Sequence, residues 1–284
     1  MTRKLLSLAT LTIAGYASVA VGQSFSDNFN SGTDAAWTHW GPPPATASWS
    51  FPTRSPGNLG YRLQASPGTA SFATSARAGS HVTGWNSSDF VVSSDLVGWD
   101  PLDEMQMGVM ARVQTPIGAG VFPGTYALVY INRFSVRGNG TDQLRILRLG
   151  PAEITFLNDG LGNQGQFGVV AGGSAAPLPG GSYRLEFNGS GNTFMGRIRD
   201  NATGLYMTFN DGNGNLTDFI HASDPNSTFS SGSAGVLTIQ NTLTPGVDTT
   251  FDNFLVTVPE PSAAALGALG LAALWAARRK AQSR

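Results

Sequence analysis

Ser182-Tyr183-Arg184-Leu185-Glu186-Phe187-Asn188 is the stretch on which the fold reading rests. Tyr183, Leu185 and Phe187 fall on one side of an extended chain and Arg184 and Glu186 on the other, the period of two of a half-buried strand. The same alternation sets Met105, Met107, Val109, Ala111 and Val113 against Gln106, Arg112 and Gln114. Outward from these two, runs rich in β-branched and aromatic residues recur at 23–29, 60–65, 69–73, 90–97, 126–132, 144–149, 154–157, 193–199, 205–209, 235–240 and 250–256. Asn-Gly, Asp-Gly, Pro-Gly and Gly-Gly pairs punctuate them, and no window from 23 to 257 repeats with a helical period. The prediction is an all-β chain: a two-sheet antiparallel β-sandwich with two half-buried faces.

The ends of the chain read differently. Arg3 and Lys4 precede an apolar stretch from Leu5 to about Ala14, with small residues at Ser18, Ala20 and Gly22, which makes residues 1–22 a signal peptide helix. A cut after Gly22 is preferred, with one after Ala20 next. At the other end Val258-Pro259-Glu260-Pro261-Ser262 leads into an uncharged run, 263–277, and then Arg278-Arg279-Lys280. Two prolines fix φ and remove two backbone donors, so the tripeptide stays extended and accessible. The apolar run is rich in helix formers but reaches only about 22 Å, short of a ~30 Å hydrocarbon layer. It is a marginal transmembrane helix, with Trp275 beside a basic cluster that the positive-inside rule places in the cytoplasm.

These C-terminal residues resemble the PEP-CTERM sorting domain of Gram-negative surface proteins, over roughly the last 25 residues. The resemblance implies that a membrane-embedded exosortase recognises Pro259, Glu260 and Pro261 and cuts near them. It makes 263–277 the transient inner-membrane anchor and Arg278, Arg279 and Lys280 the stop-transfer signal. Signal peptidase and the Sec export machinery are the partners implied at the other end. The domain organisation expected is a signal peptide over 1–22, a β-sandwich over 23–257 and the sorting signal over 258–284, with the ectodomain delivered to the cell surface or beyond.

A second resemblance spans most of 23–257. Ser26-Asp27-Asn28-Phe29-Asn30 with Trp37, Asp95-Leu96-Val97-Gly98-Trp99, Tyr183 to Phe187 and the closing 250–256 are similar to a concanavalin A-like or laminin-G-like jelly roll. It implies that the first and last strands lie close together. It also implies a structural calcium near the termini.

Composition bounds the chemistry. The chain has no cysteine, which excludes a disulfide framework and thiolate metal sites. Of 17 basic and 18 acidic residues, six basic and one acidic fall in the end segments, which leaves 11 and 17 and a net charge of −6. That sign argues against nucleic acid as a partner. Gly160-Leu161-Gly162-Asn163-Gln164-Gly165 has dinucleotide spelling but is followed by a Gly/Pro-rich loop where a helix is needed. No Gly-x-Ser-x-Gly elbow occurs, and His39, His81 and His221 lack metal-ligand spacing. Only Glu104, Glu153 and Glu186 remain as ectodomain glutamates, none in the Glu-x-Asp-x-x-Glu strand motif of laminarinase-like jelly rolls. The reading is non-enzymatic, with glycoside hydrolysis by an Asp pair the enzyme alternative.

Two candidate sites follow. Calcium is the one cofactor considered, with ligands from Asp27 and Asp252 if the end strands meet, or from the Asp211, Asn213, Asn215 loop; a hairpin turn is the competing reading of that loop. Trp37, Trp40 and Trp85 are the candidates for stacking on sugar rings, against the alternative that they anchor the core. Three functions therefore stand: a sorted surface or matrix protein with a structural or adhesive sandwich, a lectin-like module that binds polysaccharide, and a hydrolase.

Overall fold

The computed structural model describes residues 23–41, 46–66, 76–100, 104–114, 123–133, 141–150, 153–157, 164–168, 171–240, 246–259 and Trp275. In chain order the strands are β1 (Ser24–Asp27), β2 (Trp37–Trp40), β3 (Ala47–Ser50), β4 (Thr53–Ser55), β5 (Asn58–Leu59), β6 (Tyr61–Ala65), β7 (Arg77–Val82), β8 (Phe90–Trp99), β9 (Met105–Val113) and β10 (Thr125–Asn132). They continue with β11 (Gln143–Leu149), β12 (Ile154–Phe156), β13 (Gln164–Gln166), β14 (Tyr183–Ser190), β15 (Thr193–Asp200), β16 (Phe209–Asn210), β17 (Leu216–Thr217), β18 (Ile220–Ser223), β19 (Ser233–Gln240) and β20 (Val247–Thr257). Two antiparallel sheets result, the all-β sandwich that the alternation predicts.

The first sheet runs β18-β15-β14-β8-β20-β6-β3, and the second β17-β16-β13-β11-β10-β9-β19-β7-β2, with β12 on β11; β4 and β5 form a separate hairpin. β20 organises the first sheet. One edge pairs with β8 over almost its whole length, while the other takes β6 at Val247 to Phe251 and β1 at Phe254 to Thr257. The first and last strands are therefore neighbours, as the jelly-roll resemblance implies. Residues 23–259 form one compact unit.

Leu185 and Phe187 of β14, Phe194 and Ile198 of β15 and Phe251 and Val256 of β20 point inward to meet Met107 and Val109 of β9, Tyr126, Leu128 and Tyr130 of β10 and Ile146 of β11. Each is at most 2 % exposed. Burying side chains of this size contributes roughly 1.5–3 kcal/mol apiece before chain entropy is counted, which explains why the domain needs no disulfide.

The expectation of two half-buried faces holds for the first sheet and fails for the second. β14 and β15 alternate between buried and partly exposed residues, whereas β9, β10 and β19 are buried at every position. Met110, Ala127, Val129, Ile131, Leu147, Leu237 and Ile239 build a second apolar cluster on the face away from the main core. Gln106 and Arg112, read as a polar face, are 1 % and 2 % exposed. Arg112 sits at φ +55°, and β9 shifts register against β19 between Ser233 and Ala234. Its guanidinium lies 5.3–5.7 Å from the ring centres of Phe90, Tyr126 and Phe194 and donates to the carbonyls of Ser88, Phe229 and Gly191. Burial holds its pKa below the ordinary arginine value.

The strand expected at 69–73, the signal peptide helix and the C-terminal apolar helix lie outside the described residues, except that Trp275 is helical and exposed. Among the described residues no helix is long and apolar enough to cross a membrane.

Candidate functional site

Two regions of the first sheet carry chemistry that packing does not explain: the exit of β20 toward the C-terminal tripeptide, and the outward face of β14, β15 and β18.

At the exit, β20 keeps both edges paired through Thr257. Val258 donates its N–H to the Gln23 carbonyl at 2.9 Å and packs against the core, and Pro259 is exposed. The tripeptide thus begins where the sheet ends. Glu260, Pro261 and the basic residues Arg278, Arg279 and Lys280 lie outside the described residues.

On the outward face, register places Glu186 opposite Arg197 and Arg184 opposite Arg199. Tyr206 bridges to Arg199 from the far side of β15. The Tyr206 hydroxyl donates to Glu186 Oε2 at 2.8 Å, and that bond raises its pKa. Arg197 lies 4.9 Å from the Tyr206 ring centre and 5.7 Å from that of Phe219, and 3.8 Å from Asp218. The two rings are 36 % and 37 % exposed, so each presents part of a face to solvent beside a guanidinium. Aromatic faces flanked by fork-shaped donors can bind a flat apolar surface fringed with hydroxyls. Tyr206 lies in the 205–209 run read as a strand, and nothing in that pattern marks its ring as one that stays partly outside.

Further along the same face, Arg184 donates to Asp95 at 3.1 Å and Arg54 to Asp252 at 2.6 Å, with Asp95 and Asp252 opposite one another in register. Asn253, at φ +48° in the bulge that follows, donates its side chain to Asp95 Oδ2 at 2.8 Å. Burial raises the Asp252 pKa against the hydrogen bonds that lower it. Each carboxylate is held by a cation, the arrangement of a structural ion-pair network.

The sequence-predicted sites are placed as follows. Asp27 stands opposite Phe254; its carboxylate accepts the Phe29 N–H at 2.7 Å and the Trp37 indole N–H at 2.8 Å. Asp252 takes Arg54 instead, so proximity of the end strands does not bring the two carboxylates to one ion. A guanidinium already on Asp252 does not fit a calcium site. Asp211 accepts the backbone N–H groups of Asn213 and Asn215 and the Asn215 amide, closing the hairpin between β16 and β17; the turn reading of that loop is the one the structure adopts. Among the described residues no group of three or more His, Asp or Glu clusters as metal ligands. Trp37, Trp40 and Trp85 are 5–7 % exposed, so they anchor the two apolar clusters and offer no ring face. They are therefore not ligand candidates; among the described residues the partly exposed rings beside a guanidinium are Tyr206 and Phe219 at Arg197 and Phe156 at Arg145.

One further polar chain links Asp34, His39, Tyr61 and Ser80. Asp34 Oδ2 at 2.8 Å and the Tyr61 hydroxyl at 3.0 Å both approach the same His39 nitrogen, Nε2, and the hydroxyl reaches Ser80 Oγ at 2.8 Å. This cluster ties β2 and β7 of the second sheet to β6 of the first.

The C-terminal segment decides the comparison. Residues 257–280 match the PEP-CTERM protein-sorting motif. The motif begins on the last residue of β20. Solved structures similar to the chain include the carbohydrate-binding module CBM66 from Bacillus subtilis, 12 % identical over 77 % of this chain and 93 % of that one, with a TM-score of 0.44. Lectin II from Ulex europaeus is 12 % identical over 83 % and 97 %, at 0.46. A Bacillus subtilis protein of unknown function with a galectin-like fold is 12 % identical over 82 % and 96 %, at 0.48. No curated protein matches the sequence.

Proposed function

We propose that the chain is an exported cell-surface or extracellular-matrix protein, sorted by an exosortase through Pro259-Glu260-Pro261, whose β-sandwich is a non-catalytic structural or adhesive module. The observation that carries this reading is the sorting motif at 257–280, attached directly to the last strand of a folded unit. In this reading signal peptidase releases the N-terminus after Sec export, the apolar segment 263–277 holds the precursor at the inner membrane with Arg278 to Lys280 inside, and the exosortase frees or transfers the sandwich. Glu260 supplies the one charge of the tripeptide, suited to a basic pocket in the enzyme. Replacing the tripeptide with three alanines removes that charge and both prolines while leaving residues 23–258 intact. The variant is expected to stay uncleaved in a host that carries an exosortase, read by the mass of the mature protein. Processing of both forms at one rate would reduce the tripeptide to a linker.

A second reading, that the sandwich binds polysaccharide, is favoured by the Tyr206, Arg197 and Phe219 strip. Two partly exposed rings beside a guanidinium and a carboxylate supply the stacking and hydrogen-bonding groups that sugar rings use. A glycan array with the wild type and Tyr206→Ala tests it: one ring is worth about tenfold in affinity. Binding that survives removal of both rings would place any glycan site elsewhere.

A further inference from the structure

A protease that grips its substrate as an extended strand needs free backbone donors and acceptors on the residues it holds. Just before the tripeptide those groups are committed. Leu255, Val256 and Thr257 pair with Ser93, Val92 and Val91 on β8 and with Ser26, Phe25 and Ser24 on β1. Val258 prolongs the second ladder through its bond to Gln23. Pro259 then lines a hollow of about 430 Å³ together with Phe90, Asn188, Met195 and His221.

The two neighbours of β20 are unequal. β8 is a ten-residue strand interior to its sheet, paired on its other side with β14. β1 has four residues, none of them fully buried, and among the described residues it pairs only with β20. Its main apolar anchor is Phe25, edge-on to Trp37 at 5.9 Å and 6.2 Å from Phe254. Short, half-exposed edge elements are the parts of a fold that open first. β1 also begins one residue after the expected new N-terminus, Gln23, so signal-peptide removal and C-terminal sorting act on the same strand pair.

We propose that β1 is a clasp over the approach to the sorting tripeptide: while it is paired, Pro259 rests against the hollow beside β14 and the residues before it are closed to the exosortase, and peeling of β1 opens them. The proposal rests on the sorting reading above, and its partner is the enzyme's substrate-binding strand, which takes the edge of β20 that β1 leaves.

Ser24 and Thr257 lie directly opposite each other, and the chain has no other cysteine to compete for a crosslink. Full-length precursor carrying Ser24→Cys and Thr257→Cys is incubated with exosortase-bearing membranes, oxidised or reduced, with thiol content checked by mass. The oxidised form is expected to be processed at least tenfold more slowly than the same protein reduced, and Phe25→Ala severalfold faster than wild type. Equal rates for oxidised and reduced protein, with the three-alanine tripeptide variant still uncleaved, would overturn the clasp and leave the sorting reading standing. Cleavage of the three-alanine variant at the wild-type rate would overturn both.

Discussion

Asp224→Asn tests how the two sheets are tied at their β18 end. Asp224 follows β18 and is 2 % exposed. Its carboxylate accepts the Tyr126 hydroxyl at 2.6 Å and the backbone N–H groups of Asn226 and Thr228 at 3.2 and 3.3 Å, and Arg148 lies 3.4 Å away. Tyr126 belongs to β10 and Arg148 to β11, so a residue from the first sheet is anchored on the second. Burial pushes the carboxyl up, but the hydrogen bonds outweigh it and hold the pKa at about 2, below the ordinary 3.8. At 1.36 kcal/mol per tenfold change in acidity, that lowering is worth roughly 2 kcal/mol of stability. Because the folded value lies below the unfolded one, the contribution is complete above pH 4 and is lost as pH falls through 2. The asparagine variant keeps the shape, cannot ionise and lacks the contribution at every pH. Urea denaturation of residues 23–259 is therefore expected to show a gap of about 2 kcal/mol between wild type and variant at pH 6, closing near pH 2. In melting temperature the gap is about 4–8 °C for a domain of this size. Parallel stability curves from pH 6 to pH 2 would refute the argument, since other carboxylates titrate in both proteins and cancel in the difference.

Arg112→Leu is expected to cost about 3 kcal/mol of unfolding free energy by urea denaturation, because it removes three hydrogen bonds from a buried guanidinium to the carbonyls of Ser88, Phe229 and Gly191 and a cation from three ring faces; a loss under 1 kcal/mol would show that the site repacks. Tyr206→Ala and Phe219→Ala, by contrast, remove rings that are already about one-third exposed. Each is expected to change stability by no more than about 1 kcal/mol, so that any lost glycan binding reads as function; a larger drop would mean that the strip holds the sheet together.

Local chemistry was legible from the sequence alone. Tyr183, Leu185 and Phe187 alternate because β14 has one wet face, and the Pro-Glu-Pro tripeptide, the apolar run and the basic cluster after it are a linear pattern that is read without tertiary context. The meeting of the first and last strands was implied only by the jelly-roll resemblance of Ser26 to Asn30 and 250–256. What those strands do with their side chains was decided by register. Asp27 faces Phe254, and Asp252 sits at a bulge beside Asp95 and Arg54, so a pairing of carboxylates that seemed natural from the strand ends does not form. Gln106 and Arg112 look like a solvated face in a linear pattern, yet the second sheet is buried on both sides, and burial belongs to the neighbours of a strand and not to the strand. The tryptophans were singled out for size and turned inward for the same property, because the largest apolar surface gains most from leaving water. Tyr206 and Phe219 stayed outside because β15 is short of neighbours at that edge, and only the assembled sheet places them around Arg197.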